Sequence, residues 1–285
     1  MFIYCIVLSP LVLGKDFKIS MNEFCPYHCT DSKGGWDKNH PGYAYEIYDE
    51  IYSSAGYDFK AIQSFFHGGM RLTDTGAVDA ISGPIKLESK LESEIKTRQN
   101  KNTGAIYSRL IYSEEPISIY QSSCFFGKAG MKWKYKGIQS LLPYITAVVK
   151  DFDYGESLNK IIEAEATSKK NAPKIQLMYG KDIHLRNFSM LLNRRVDLVL
   201  ADLQVGLYTI NKMEKEQQIE KGSIKLLDCT DEGKRNLYVG FSPKRPKKSR
   251  LLAQLFDQGI GRLRSSGRLK LILDKYGLND WVLEK

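Results

Sequence analysis

Apolar and polar positions follow two rhythms along this chain, and the rhythms alternate. Phe17-Lys18-Ile19-Ser20-Met21 alternates with the period of a half-buried strand. Tyr43-Ala44-Tyr45-Glu46-Ile47-Tyr48-Asp49-Glu50-Ile51-Tyr52 repeats its apolar positions at three and four, which predicts a helix ending near Gly56. Tyr57–Ile62 is again a strand, His67–Thr75 a helix stopped by Gly76, and Val78–Gly83 a strand. This βαβαβ run implies a mostly parallel sheet covered by helices. Leu87–Gly104 is polar and charge-dense, and reads as a helix or an excursion.

Ser118–Phe126 predicts one strand, and a second α/β series begins near Gly137. Its strands are Thr146–Val149, Ile175–Tyr179 and Val196–Asp202, and its helices are Leu158–Ala166, Ile183–Asn193 and Val205–Ile219. A late strand, Leu237–Ser242, precedes two helices at Leu251–Leu263 and Leu269–Lys275. The motif Ala77-Val78-Asp79-Ala80 returns as Arg195-Val196-Asp197-Leu198, so two similar α/β lobes follow one another.

The chain ends of this pattern carry separate signals. Phe2–Gly14 is apolar and uncharged, too short to span a bilayer and of the length of a secretory h-region, although no Lys or Arg precedes Lys15. The expectation is an exported protein whose residues 1–14 are a leader with an incomplete basic start, and whose mature part is soluble. The 285 residues, 42% hydrophobic and 26% charged, suffice for one large domain or two medium lobes. A net charge of +9 raises nucleic acid as a partner. The basic residues are scattered among acids, however, and no nucleic-acid motif is present. The one dense run, Lys244-Arg245-Pro246-Lys247-Lys248, reads as a solvated loop.

Loss of the leader removes Cys5 and leaves Cys25, Cys29, Cys124 and Cys229. An even set in an exported protein suggests disulfides. Of the three possible pairings, Cys25–Cys29 with Cys124–Cys229 is preferred. The stretch Phe24-Cys25-Pro26-Tyr27-His28-Cys29 also invites a metal reading, but it offers at most three ligands and no second pair stands at matching distance. The four histidines show no metal spacing, and neither a Gly-x-Ser-x-Gly elbow nor a phosphate loop occurs. Carboxylate pairs such as Asp151/Asp153 and Glu114/Glu115 read as solvent-facing charges. No catalytic residue and no cofactor is therefore expected.

Taken in order, several pieces resemble one family. They are the early strand with Pro26-Tyr27, the helix Tyr43–Tyr52, Gly76-Ala77-Val78-Asp79-Ala80-Ile81 and Tyr112-Ser113-Glu114-Glu115-Pro116-Ile117. Asp153-Tyr154-Gly155, Val196–Asp202 and Leu263–Leu269 before Tyr276-Gly277 complete the set. Together they resemble the periplasmic solute-binding proteins of type-2 fold, family 3, typified by polar amino-acid binders of ABC transporters. The resemblance implies a monomer of two lobes joined by two crossover strands: lobe 1 over 15–117 completed by 242–285, and lobe 2 over 118–241. A small polar solute would lie between them, delivered to a membrane permease or signalled to a sensor kinase; a dehydratase-like enzyme is the remoter alternative.

The same resemblance nominates residues for the cleft. The arginine that family members place after the first Val-Asp strand is missing from Ser82-Gly83-Pro84-Ile85-Lys86-Leu87-Glu88-Ser89-Lys90, where Lys86 or Lys90 supplies charge without a planar fork. Asp202 matches the carboxylate that holds an α-amino group, and equally suits an N-cap. Tyr154-Gly155-Glu156-Ser157 offers free N–H groups at a helix start. Phe24, Tyr27 and Trp36 are candidate walls, and Ser82 and Gly83 candidate polar contacts.

Overall fold

A computed structural model of the chain describes residues 15–31, 33–86, 109–150, 152–166, 174–180 and 182–282. The expected leader and the whole polar stretch Leu87–Gly104, Lys90 included, fall outside the described residues.

The strands form two sheets. In the first, β1 (Lys15–Met21), β2 (Tyr57–Gln63), β3 (Ala80–Ile85), β4 (Ile111–Tyr112), β5 (Ser118–Gln121) and β11 (Lys234–Phe241) run in the order β2-β1-β3-β11-β4, with β5 paired to β11. In the second, β6 (Cys124–Lys128), β7 (Thr146–Val149), β8 (Ile175–Met178), β9 (Leu198–Ala201) and β10 (Ile224–Cys229) run in the order β10-β6-β9-β7-β8. Each sheet has a parallel centre, β2-β1-β3 and β8-β7-β9, and antiparallel strands on one side.

The helices form where the apolar rhythm of three and four predicts them. Helix α1 (Tyr43–Ser54) buries Tyr43, Ile47, Tyr48, Ile51 and Tyr52 in one face. Its buried hydroxyls do not remain orphaned: Tyr52 donates to the Leu252 carbonyl at 3.0 Å, and Tyr48 lies 2.8 Å from Ser82 Oγ. Helix α2 (Phe66–Thr75) ends at Gly76, whose φ of 80° is the left-handed cap that a glycine provides without strain. In the second lobe, α3 (Glu156–Ala166) covers one face of the sheet, and α4 (Ile183–Leu192) and α5 (Leu203–Lys215) cover the other. Helices α6 (Pro246–Ser265) and α7 (Arg268–Asp274) return to the first lobe, where Leu252, Phe256, Ile260, Leu269 and Ile272 join the cluster around Phe17, Ile19 and α1.

Three sequence expectations change. The predicted strand Ser118–Phe126 breaks at Ser122-Ser123, where the chain leaves the first sheet for the second. Strand β11, assigned to the second lobe, lies in the first, because Val239 and Phe241 fill its core and are wholly buried. The Lys244–Lys248 run is exposed through Lys247, as a solvated segment is, but is not simply a loop: Pro246 opens α6, and the Lys248 ammonium donates to Asp79 Oδ1 at 2.8 Å and to the Asp16 carbonyl at 3.1 Å. Strand β10 was missed, since Ile-Lys-Leu-Leu-Asp-Cys lacks a clean alternation and carries a register shift between Leu226 and Asp228.

Both preferred disulfides are present, Cys25–Cys29 and Cys124–Cys229. The second joins paired positions on β6 and β10 at the foot of both crossovers. No helix among the described residues is long and apolar enough to cross a membrane.

Candidate functional site

The C-terminal ends of β1, β7 and β9 lead into segments that meet between the two sheets. After β1, Phe24–His28 folds back as a hairpin whose backbone pairs twice (Phe24 N to His28 O at 2.9 Å, His28 N to Phe24 O at 3.0 Å), and the Cys25–Cys29 bridge closes it. His28 ties this lip to the first lobe: its Nε2 lies 2.8 Å from Ser82 Oγ, and burial pushes the imidazole down to about 3.

The lip faces the second lobe with two rings. Phe24 stacks on Tyr27 with centroids 4.9 Å apart and stands 6.3 Å from Tyr120 and 6.0 Å from Phe152. Phe152 in turn lies 6.1 Å from His184, whose imidazole burial pushes down to about 4. Tyr27 is buried, and its hydroxyl donates to the Ile119 carbonyl at 3.2 Å and lies 3.4 Å from Asp202 Oδ1. Tyr43 adds a second bridge between the lobes, 2.6 Å from Ser118 Oγ and donating to Gln204 Oε1 at 2.8 Å. Val205, the third residue of α5, packs into the core of the first lobe.

Asp202 sits at the centre of this seam, wholly buried just past the end of β9. Its Oδ1 accepts from the amides of Gln204 (3.1 Å) and Val205 (3.0 Å), the N-cap geometry of α5. Its Oδ2 accepts from the Gln121 amide at 2.9 Å. Burial outweighs these hydrogen bonds and pushes the carboxyl up to about 7. No cation faces it in an ion pair among the described residues, so only amide dipoles and a hydroxyl oppose its charge. The N-cap reading and the cleft reading therefore describe one side chain.

The helix start at Tyr154–Ser157, where free N–H groups are expected, is differently arranged. Ser157 N, in the first turn of α3, donates to Glu232 Oε2 at 2.9 Å, and the Gly155 amide turns to Asp153 Oδ1 at 3.0 Å. Glu232 comes from the crossover between β10 and β11, which approaches so closely that a Cβ on Gly155 (φ 93°) would stand 2.6 Å from Glu232 Cβ. The helix start that sequence reading offered to a solute's carboxylate is capped by the chain's own. Tyr154 is buried, with its hydroxyl 2.8 Å from Val149 N and its carbonyl accepting from Ser123 Oγ at 2.5 Å.

The remaining candidates disperse. Trp36 is engaged on the flank of the first lobe, donating from Nε1 to the Ala61 carbonyl at 3.1 Å with its ring 5.8 Å from Tyr45. Gly83 lies in β3 at a φ of 82° and has Leu237 as its side-chain neighbour. Lys86 pairs with Glu114 at 3.4 Å and lies 5.7 Å over the Tyr238 ring. Ser82 belongs to the His28–Tyr48 network rather than to the Phe24–Asp202 cluster.

Sequence reading did not nominate Tyr43, Tyr120, Phe152, Gln204 or Glu232. Tyr43 and Tyr120 carry the signature of ordinary core, and Glu232 stands in an unremarkable polar turn. Phe152, an apolar residue between Asp151 and Asp153 at a strand exit, was the available signal.

No protein-family model matches the sequence, and no curated relative does. Solved structures do match over nearly the whole chain. A mutant of ArgBP from T. maritima superposes with a TM-score of 0.57 at 16% identity, over 92% of this chain and 94% of that one. A histidine kinase sensor domain with similarity to periplasmic binding proteins gives 0.58 at 16% identity, over 93% and 96%. The second substrate-binding domain of a putative amino acid ABC transporter from Streptococcus pneumoniae gives 0.58 at 15%, over 91% and 99%. The fold is thus a two-lobed, periplasmic-binding-protein-like fold, with two crossovers joining the lobes.

Proposed function

We propose that the chain captures a small polar solute between its lobes without chemically altering it, and that the solute carries an amino group. The observation that carries this reading is Asp202, a buried carboxylate at the seam with its charge opposed by no cation among the described residues. An ammonium arriving there would supply the missing countercharge and draw the carboxyl back toward its ordinary range. The carboxylate half of an amino acid finds less: the arginine expected after the first Val-Asp strand is absent, and Glu232 already caps α3. Amines, or amino acids held mainly by their amino group, fit best. Phe24, Tyr27, Tyr154, Gly155 and Asp202 are the residues proposed to line or support the site.

Solute would bias the lobes toward closure, since Tyr27 and Asp202 sit on opposite lobes. Two disulfides support a location outside the cytoplasm. Delivery to an ABC-type importer is the proposed role. The likeness to a histidine kinase sensor domain supports a second reading, in which occupancy is signalled rather than transported.

A thermal-shift screen of amino acids, amines and organic acids tests the reading, because ligand that binds the native state must raise its stability. Amine-bearing solutes are expected to shift the midpoint, and organic acids to do so only in a Glu232→Ala variant. Stabilisation of the parent by simple organic acids but by no amine would overturn the site, and conversion of any hit into product would overturn the non-catalytic role.

A further inference from the structure

Beyond the seam, the strongest unassigned feature is a groove of about 520 Å³ on the second lobe, lined by Lys128, Lys132, Lys134, Lys136 and Lys225, with Met131, Trp133, Leu226 and Leu227 among its apolar residues. No acid lines it. Asp228 stands next to it along the chain, but its Oδ2 accepts from the Tyr135 amide at 2.9 Å. Among the described residues, none of the five ammonium groups is in an ion pair. Lys128 alone is engaged, donating to the Leu192 carbonyl at 3.1 Å.

The local sequence explains the arrangement. Lys132-Trp133-Lys134-Tyr135-Lys136 alternates, and the exposure alternates with it. Trp133 and Tyr135 turn inward against Phe125, with centroids 4.9 and 5.2 Å away. The lysines therefore emerge on the same side, at about 6–7 Å intervals for an extended backbone. The groove also has a definite place in the fold. Strand β6 begins at Cys124, opposite Ala201 beside the seam, and ends at Lys128, opposite Ile224. The lysines thus crown the end of the sheet farthest from Asp202.

We propose that this pole is an electrostatic docking surface for an anionic phospholipid membrane. Its chemistry selects that occupant. Lysine ammoniums are mobile point charges without the planar fork of arginine, and Lys132, Lys134, Lys136 and Lys225 are all exposed, so the groove is not shaped around a single small anion. Single-stranded nucleic acid binds on exposed rings, whereas here the rings face the core and the Trp133 Nε1 is given to the Ser140 carbonyl at 3.1 Å. A sheet of lipid phosphates asks only for clustered positive charge and a little apolar contact, which Leu226 at 39% exposure and Met131 supply. Docking at this pole leaves the seam and the first lobe unobstructed.

Co-sedimentation of the full chain with vesicles tests the proposal. Near an anionic surface each lysine contributes roughly a fivefold factor. Binding is expected to vesicles containing about a third phosphatidylglycerol at about 0.1 M salt, weakening as salt rises, and not to pure phosphatidylcholine. Replacing Lys132, Lys134, Lys136 and Lys225 together by Gln is expected to weaken it by roughly several hundredfold. Replacing the exposed Lys33, Lys38, Lys244 and Lys247 of the first lobe makes the same change in net charge and is expected to weaken it by less than about threefold. Equal losses in the two variants, equal binding to neutral vesicles, or binding to a single-stranded oligonucleotide in place of vesicles would each overturn it.

Discussion

Among the described residues each lobe buries one aspartate beside its sheet, and the two are treated in opposite ways. Asp79 in the first lobe accepts from the Lys18 amide at 3.0 Å and meets Lys248 at 2.8 Å and Arg245 at 3.5 Å. Asp202 in the second is more deeply buried and meets only amides and a tyrosine hydroxyl. The contrast extends to the rest of each lobe. Ion pairs such as Lys60–Asp16, Arg109–Asp74, Arg264–Asp280 and Arg268–Glu50 join distant segments of the first lobe. Pairs seen among the described residues of the second lobe, Lys160–Glu156 and Lys212–Glu216, are single-turn helix pairs. In the first lobe charge is used to hold C-terminal helices against an N-terminal sheet. The second lobe leaves both signs open, an acid at the seam and lysines at the pole, and those two places are where partners are proposed.

The largest expected consequence lies at Asp202. A carboxyl raised from 3.8 to about 7 in the native state binds its proton more tightly than in the unfolded chain. It therefore stabilises the fold on the acid side, and that stability is lost as pH rises through about 7. His28 and His184, buried neutral, act in the opposite sense below their ordinary 6.5. Comparing Asp202→Asn with the parent cancels them. The variant's stability relative to the parent is expected to rise by roughly 3 kcal/mol between about pH 4.5 and 8. A difference that stays flat across urea titrations at several pH values would remove the contrast between the two aspartates.

Asp79→Ala comes next. It strands the Lys18 amide and leaves the Lys248 ammonium with the Asp16 carbonyl but no countercharge from Asp79, and is expected to cost about 2–3 kcal/mol in urea unfolding. A loss below about 0.5 kcal/mol, the ordinary range for surface changes, would mean that the first lobe's ion pairs do not hold it together. The smallest effect belongs to the pole. Changing Lys132, Lys134, Lys136 and Lys225 to Gln is expected to move stability by no more than about 0.5 kcal/mol, because none is paired. A larger loss would assign these lysines to structure.

Much of this architecture was legible in the residue pattern, for reasons that differ between elements. Helix α1 and strand β9 were readable because burial imposes their periods directly. The seam was half legible. Asp202 was found because the family resemblance places an amino-binding carboxylate just past this strand, where it equally suits the N-cap that it forms, and Phe24 and Tyr27 because proline and cysteines fix their loop. Trp36 was misleading, since an aromatic in a glycine-rich turn reads the same whether it faces a cleft or, as here, the flank of β2. Glu232 and β10 were invisible because their roles depend on partners far away in the chain, Ser157 and Phe126 among them. The pole lysines escaped notice because Lys225 joins the Lys128–Lys136 group only through the β6–β10 register.

The Cys124–Cys229 bridge has a mechanical side. Every strand of the second sheet lies between those two residues, while β1, α6 and α7 on either side belong to the first lobe. Tension applied to the two flanking parts of the chain would pass through a sulfur–sulfur bond and around the second lobe, leaving that lobe unloaded. A cut backbone inside it would likewise leave the two flanks in one covalent piece. The second lobe thus hangs from the first as a loop on a clasp.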